Sequence, residues 1–190
     1  VFVTAAAAPP RDVAVVGLGS GALAAYGRTG DTFTYYEIDP AVARIASDPT
    51  LFSYLSDSAA DTDIVLGDGR LSLERTDEIY DVMVLDAFSS DAIPVHLLTA
   101  QAVQEYLRHL RADGVLAIHI SNRYLDLEPV VASLAADAAL GGRLIQHDDS
   151  AESAGAARST WVALARTEAA LGALARSERW TASPLALDPA

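Results

Sequence analysis

Residues 13–40 read VAVVGLGSGALAAYGRTGDTFTYYEIDP. A short apolar run, Val13, Ala14, Val15 and Val16, meets glycines at alternate positions, Gly17, Gly19 and Gly21. A second β-type run, residues 32–36, ends in the acidic Glu37. The order is strand, glycine turn, helix, strand, carboxylate. Glycines let the backbone turn tightly and approach a ligand, and a carboxylate at the next strand tip accepts hydrogen bonds from two ribose hydroxyls. The segment therefore predicts a pocket for a nucleoside-type ligand in an open α/β sheet.

Working outward, the alternation of strands and helices continues. Asp39-Pro40 is a helix start, with Asp as N-cap and Pro at the first helical position. Residues 51–61 read as a short helix and loop. Strands are expected over residues 63–66, ending in Gly67-Asp68-Gly69-Arg70, and over 80–85, ending in Asp86. Thr99 caps a helix whose Val103, Tyr106, Leu107 and Leu110 recur at the spacing of a core-facing stripe. Asp113-Gly114 then turns into a fifth strand, residues 115–120, tipped by Ser121-Asn122. A helix opening at Asp126 is expected to stop at Gly141-Gly142, before strands over 143–146 and 160–165. The fold class is α/β, a doubly wound, Rossmann-like, seven-stranded and mostly parallel sheet whose final strand inserts antiparallel. Residues 1–12 read as a linker or remnant, 13–166 as the nucleoside-binding catalytic domain, and 167–190 as a C-terminal tail.

Bulk composition narrows the function classes. The chain has 190 residues, 51% of them hydrophobic, enough for one domain with a real core. Its net charge is −13, and all 13 basic residues are Arg. An acidic surface repels phosphate backbones, so nucleic acid is a poor partner. The absence of Cys excludes disulfides, thiolate metal sites and Cys nucleophiles. No apolar run reaches the roughly 18 residues of a membrane span, and residues 1–10, VFVTAAAAPP, lack the charged start of a signal peptide. The expected location is cytoplasmic, with this segment also readable as part of a longer chain.

GLGSGA fits two patterns. Gly17, Gly19 and Ala22 satisfy the dinucleotide form G-x-G-x-x-G/A, and Gly17, Gly19 and Gly21 the G-x-G-x-G form of S-adenosylmethionine enzymes. The series of strand-end carboxylates favours the second. Asp68 is placed to accept from an exocyclic adenine amine, and Asp86 lies where a sulfonium would sit.

Residues 80–98, YDVMVLDAFSSDAIPVHLL, resemble the active-site loop of the spermidine synthase family of polyamine aminopropyltransferases, in particular bacterial spermidine synthase-like members. The shared pattern is a strand ending in Asp, a Ser/Asp loop, a Pro and a helix start, and the likeness runs from about residue 13 to 134. The resemblance implies a fold of the class I S-adenosylmethionine-dependent methyltransferase type. It implies S-adenosylmethionine or its decarboxylated form as co-substrate, a small amine as acceptor, and no metal. It implies that Glu37 holds the ribose, Asp68 the adenine end, that Asp86 accepts the amine proton and that Asp91 holds the diamine. Gly17, Gly19, Ser20, Gly21 and Gly69 complete the expected cofactor set, with Asp86 and Asp91 as the catalytic pair. Three departures stand out. Ser20 replaces the usual Asp between the second and third glycines. Asp86 and Asp91 are five apart rather than three. The family's N-terminal hairpin domain has no counterpart among the dozen residues before the first strand. Monomer and homodimer both remain open.

Aminopropyl transfer is displacement by an amine at a carbon beside a sulfonium, and the amine, with a pKa near 10, must lose a proton. An Asp at position 20 would repel the carboxylate of ordinary S-adenosylmethionine; Ser20 does not. Two alternatives therefore stand beside aminopropyl transfer: a small-molecule methyltransferase and a non-catalytic nucleoside-binding domain. Plainer readings also exist, with Asp86 and Asp91 as turn or cap residues and Glu37 as an exposed strand-end carboxylate. His119 reads as a packed core histidine, His96 and His109 as helix-surface residues, and His147-Asp148-Asp149 as a polar loop. Asn122 and Tyr124 are candidates for lining an acceptor pocket.

Overall fold

The computed structural model describes residues 10–88, 93–122, 125–147 and 159–175. Asp91, Tyr124, Asp148 and Asp149 lie outside the described residues. Among the described residues seven strands form one sheet: β1 (Asp12–Val16), β2 (Thr32–Glu37), β3 (Asp61–Leu66), β4 (Tyr80–Leu85), β5 (Leu110–His119), β6 (Gly141–His147) and β7 (Ser159–Ala165). Their order is β3-β2-β1-β4-β5-β7-β6. The first five are mutually parallel, and β7 inserts antiparallel between β5 and β6. The doubly wound, mostly parallel α/β class expected from the sequence is what the chain adopts.

Among the described residues five α-helices flank the sheet: α1 (Pro40–Ala46), α2 (Gly69–Leu73), α3 (Ala100–Arg108), α4 (Glu128–Asp137) and α5 (Glu168–Ala175). Successive strand side chains point to opposite faces, and a parallel sheet covered on both sides has apolar residues at every position. In β1, Val13 and Val15 face one core cluster while Ala14 and Val16 face the other. The first cluster gathers Phe33, Tyr35, Val84, Ala117 and Ala163 with Ala170, Leu171 and Leu174 of α5. The second gathers Met83, Leu85, Leu116 and Ile118 with Val103 and Tyr106 of α3 and Val131 of α4. Of the stripe expected on α3, Val103, Tyr106 and Leu107 face the core, whereas Leu110 lies beyond the helix and opens β5. β3 lies at the sheet edge, and its Asp61 and Asp63 are exposed, the kind of charge that blunts edge-to-edge pairing.

Local capping agrees with the sequence. Asp39 accepts from the Ala41 N–H (2.7 Å) and Thr99 from the Ala102 N–H (3.1 Å). Other boundaries differ. The helix expected after Gly21 is a single 3-10 turn, Ala22–Tyr26, and residues 51–60 form turns without a helix. Strand β5 starts at Leu110, and Asp113-Gly114 lies in an irregularity inside it, where the register with β4 jumps from Tyr80↔Leu110 to Val82↔Val115. Arg111, within that bulge, reaches Asp81 (2.9 Å) and Asp12 (3.2 Å). Helix α4 ends at Asp137, Ala139 takes the positive φ of 53° at the turn, and Gly141-Gly142 open β6.

At the start of β1, Arg11 and Asp31 form a fully buried ion pair. Asp31 also accepts from the Arg11 and Arg28 backbone N–H groups at 3.0 and 2.9 Å. Among the described residues no helix is long and apolar enough to cross a membrane.

Candidate active site

Strands β1, β2 and β4 end at the same edge, and the chain crosses in opposite directions from β1 and β4. Ligands of open α/β sheets sit at such a switch point, beyond the carboxyl ends of the strands. Three backbone bonds carry the ladder into the turns: Gly17 N–H to Tyr36 O (2.9 Å), Gly67 N–H to Glu37 O (2.9 Å) and Asp86 N–H to Val16 O (2.8 Å). They hold the glycine turn, Glu37 and Asp86 around one cavity of about 560 Å³. Glu37 and Asp86 flank β1 on its two sides, roughly 10 Å apart at two strand spacings.

Gly17, Gly19, Glu37, Asp68, Gly69 and Asp86 all line this cavity; Ser20 and Gly21 are not among its lining residues. Gly17 has φ +97°, and a Cβ there would meet the Asp86 carbonyl oxygen at 2.4 Å. The obstruction is backbone, so it cannot move aside cheaply. Gly17→Ala should cost about 2–4 kcal/mol through strain and overpacking, read in a denaturant melt. Gly19 has φ +55° with nothing within 4 Å of a Cβ, so Gly19→Ala should cost only about 1–2 kcal/mol of left-handed strain. Equal losses would show that the turn is not packed against β4. Gly21 instead packs on Leu55, whose side chain would lie 2.9 Å from a Cβ.

Glu37 is buried, and two backbone donors orient it: Leu18 N–H to Oε2 at 3.0 Å and Asp39 N–H to Oε1 at 2.8 Å. An ionised carboxylate offers about four acceptor sites, so each oxygen keeps a lone pair for a ligand hydroxyl. Asp68 has a different arrangement. Its Oδ1 caps α2 by accepting from the Leu71 N–H (3.0 Å), and its Oδ2 pairs with His96 Nε2 (3.1 Å). His96 also lines the cavity. An adenine amine at this end would meet an Asp–His pair rather than a lone carboxylate. Tyr36 backs the cavity, its hydroxyl 2.7 Å from that of Tyr80. Burial first, and the Tyr80 hydroxyl second, push the Tyr36 phenol well above its ordinary range, so it stays neutral and leaves the carboxylates as the basic groups.

Asp86, half-buried at the tip of β4, has its Oδ1 2.8 Å from His119 Nδ1. His119 Nε2 lies 2.8 Å from Ser121 Oγ, which accepts from the Thr160 N–H at 2.8 Å. His119 is thus not merely a core residue. Its partnership with Asp86 was readable in principle, since Leu85 and Ile118 are register mates and the residues after them are level. Finding it required knowing that β5 lies beside β4. His96 carried no such signal, because it sits in the 3-10 turn Val95–Leu97, 28 residues from the Asp68 cap it meets.

No family model matches the chain. A polyamine aminopropyltransferase from Vibrio vulnificus (strain CMCP6) is 32% identical over 113 residues, covering 56% of this chain and 36% of the relative. The chain thus spans about a third of that protein's length. Spermidine synthase from Thermotoga maritima superposes with a TM-score of 0.63 at 17% identity, over 83% of this chain and 54% of that one. A spermidine synthase in complex with the transition state analogue AdoDATO gives 0.64 at 17% identity, over 84% and 56%. Human methyltransferase-like protein 13 in complex with SAH gives 0.63 at 20% identity, over 84% and 73%. The fold is that of the class I S-adenosylmethionine-dependent methyltransferases. Within it, the chain is similar in sequence to a polyamine aminopropyltransferase and in fold to spermidine synthases.

Proposed function

We propose that this chain carries the transferase domain of a spermidine synthase-like aminopropyltransferase, using decarboxylated S-adenosylmethionine as donor and a small amine as acceptor. The observation that carries this reading is the charge of the cavity. Glu37, Asp39, Asp68 and Asp86 line it, and among the described lining residues the only basic side chain is His96. Such a wall favours a donor whose tail is an ammonium without a carboxylate, next to a cationic acceptor. The curated aminopropyltransferase relative and the synthase bound to AdoDATO support the same reading.

In the reaction the amine lone pair attacks the carbon beside the sulfonium. The C–S bond breaks, its electrons stay on sulfur, and methylthioadenosine leaves as a neutral thioether. Asp86 anchors the protonated amine and takes one proton on Oδ2, which frees the lone pair that then forms the C–N bond and leaves the product as a secondary ammonium. Alignment of the two reactants by Glu37 at one end and Asp86 at the other supplies much of the rate. Asp91 is proposed to hold the far end of a diamine.

Calorimetric titration with decarboxylated S-adenosylmethionine, S-adenosylmethionine and methylthioadenosine tests the reading. Decarboxylated donor should bind at least ten-fold more tightly than S-adenosylmethionine, about 1.4 kcal/mol. The reverse order would favour methyl transfer, the reading that Ser20 keeps open, and no binding of any of the three would favour a domain that has lost its nucleoside function. Glu37→Ala should weaken methylthioadenosine binding by about 1.5–3 kcal/mol, the scale of hydrogen bonds to a charged group. Undiminished affinity would remove Glu37 from the ribose site.

A further inference from the structure

We propose that His119 is a positioning residue for Asp86, fixing one carboxylate oxygen so that the other faces the acceptor amine. The proposal rests on the aminopropyl-transfer reading only for what Asp86 accepts; the arrangement itself is built from protein groups alone.

The ring plane is set by two aromatics. Trp161, opposite His119 in the antiparallel β5–β7 pairing, stacks on it at 4.3 Å between centroids and 7° between planes. Phe88, which lines the cavity, meets it edge-on at 4.5 Å and 66°. With its plane held, the ring points both nitrogens at partners 2.8 Å away, Asp86 Oδ1 on one side and Ser121 Oγ on the other.

The donors and acceptors then determine where the protons lie. An ionised carboxylate only accepts, so Nδ1 must carry hydrogen. Ser121 Oγ already accepts from the Thr160 N–H. It retains one hydrogen to donate and one lone pair. In the neutral ring the Ser121 hydroxyl donates to Nε2; in the imidazolium, Nε2–H donates to the remaining lone pair of Ser121. Rotation of one hydroxyl therefore accommodates either ring charge, and the Nδ1–H bond to Asp86 persists in both. Oδ1 stays occupied throughout, which leaves Oδ2 as the oxygen for the amine proton. A histidine that only filled core space would need neither the Ser121 anchor nor the paired bonds in its own plane.

Three variants and one spectrum test this. His119→Asn places an amide N–H near Nδ1 but discards the stack; His119→Phe keeps the stack but donates nothing; His119→Ala removes both. Expected is a fall in kcat of about 10- to 100-fold for the Ala and Phe variants, recovery to within about five-fold of wild type for Asn, and methylthioadenosine affinity unchanged in all three by calorimetry. Recovery by Phe and not by Asn would reduce His119 to packing and overturn the proposal, as would a loss confined to KM. Thermal melts identify a variant that fails to fold, and the remaining two still discriminate. Independently of any turnover, nitrogen-15 histidine spectra of the wild-type chain should show a protonated Nδ1 on His119, altered in Asp86→Asn. A bare Nδ1 overturns the proposal. If the wild type turns over neither donor with putrescine, the functional reading fails, and the spectrum still decides whether His119 holds Asp86.

Discussion

Asp86→Asn is expected to slow aminopropyl transfer by about 10²- to 10⁴-fold, the range of a positioned general base. Asn is nearly isosteric, and its carbonyl oxygen can still accept from His119 Nδ1–H, so the tip of β4 should keep its geometry. On the proposed mechanism, what disappears is the acceptor for the amine proton and the negative charge that anchors the cationic amine. The backbone N–H of residue 86 still bonds Val16 O, and the glycine turn is untouched. Methylthioadenosine, which has no charged tail, should therefore bind as tightly as before. Steady-state kinetics with a diamine acceptor, alongside calorimetry with methylthioadenosine, make the comparison. A loss of less than ten-fold in rate would remove Asp86 from the acceptor role, and a matching loss of nucleoside affinity would recast it as a donor-binding residue.

The second large effect falls on stability, far from the cavity. Asp31→Ala should destabilise the domain by about 3–5 kcal/mol, because it leaves the Arg11 guanidinium buried without its carboxylate. Against a typical total of about 5–15 kcal/mol, that brings the domain close to unfolding. The double replacement Arg11→Met with Asp31→Leu should recover only part of the loss: it removes the uncompensated buried charge, but the Arg11 and Arg28 backbone N–H groups still lose their Asp31 acceptor. A denaturant double-mutant cycle separates the two outcomes, and additive losses would show that the pair is not coupled. The same pair makes stability depend on pH. Burial, the largest influence on Asp31, raises its pKa, but hydrogen bonds from the Arg11 side chain and from the Arg28 and Arg11 backbone, with the Arg11 charge, more than reverse this and hold it below its ordinary value. A carboxylate depressed in the folded state contributes its stability in full above its unfolded pKa of about 3.9 and loses it as pH falls through the lower folded value. Wild type should lose stability on acidification in that window, and Asp31→Ala should show a flatter profile there.

Much of this chain was legible because its signals are local. The buried run ending at Gly17, the Asp39 and Thr99 caps and the α3 stripe each depend on residues within about two helical turns. The misread boundaries share a cause. Asp113-Gly114 looks like a turn, but β5 starts earlier, where Leu110 pairs with Tyr80 of β4 and Arg111 reaches carboxylates on β1 and β4. Gly141-Gly142 looks like a helix stop, but the pairing of β6 with β7 takes those glycines into the sheet. In both places a partner distant in sequence outweighed local propensity.

The candidate site divides along the same line. By itself the sequence determined the sheet class, the glycine turn and the carboxylates at strand tips, because a strand end and its turn are specified by adjacent residues. It also determined that Glu37 and Asp86 end strands of one sheet. The tertiary structure alone decided what those carboxylates touch. Asp68 meets His96 across 28 residues, and Asp86 meets His119 across 33. Those contacts depend on strand order, on the level of β4 against β5, and on the antiparallel entry of β7 that brings Trp161 to the imidazole and the Thr160 N–H to Ser121. A side chain's hydrogen-bond partner is set by through-space distances of about 3 Å, and no local pattern encodes a distance between segments that only folding brings together.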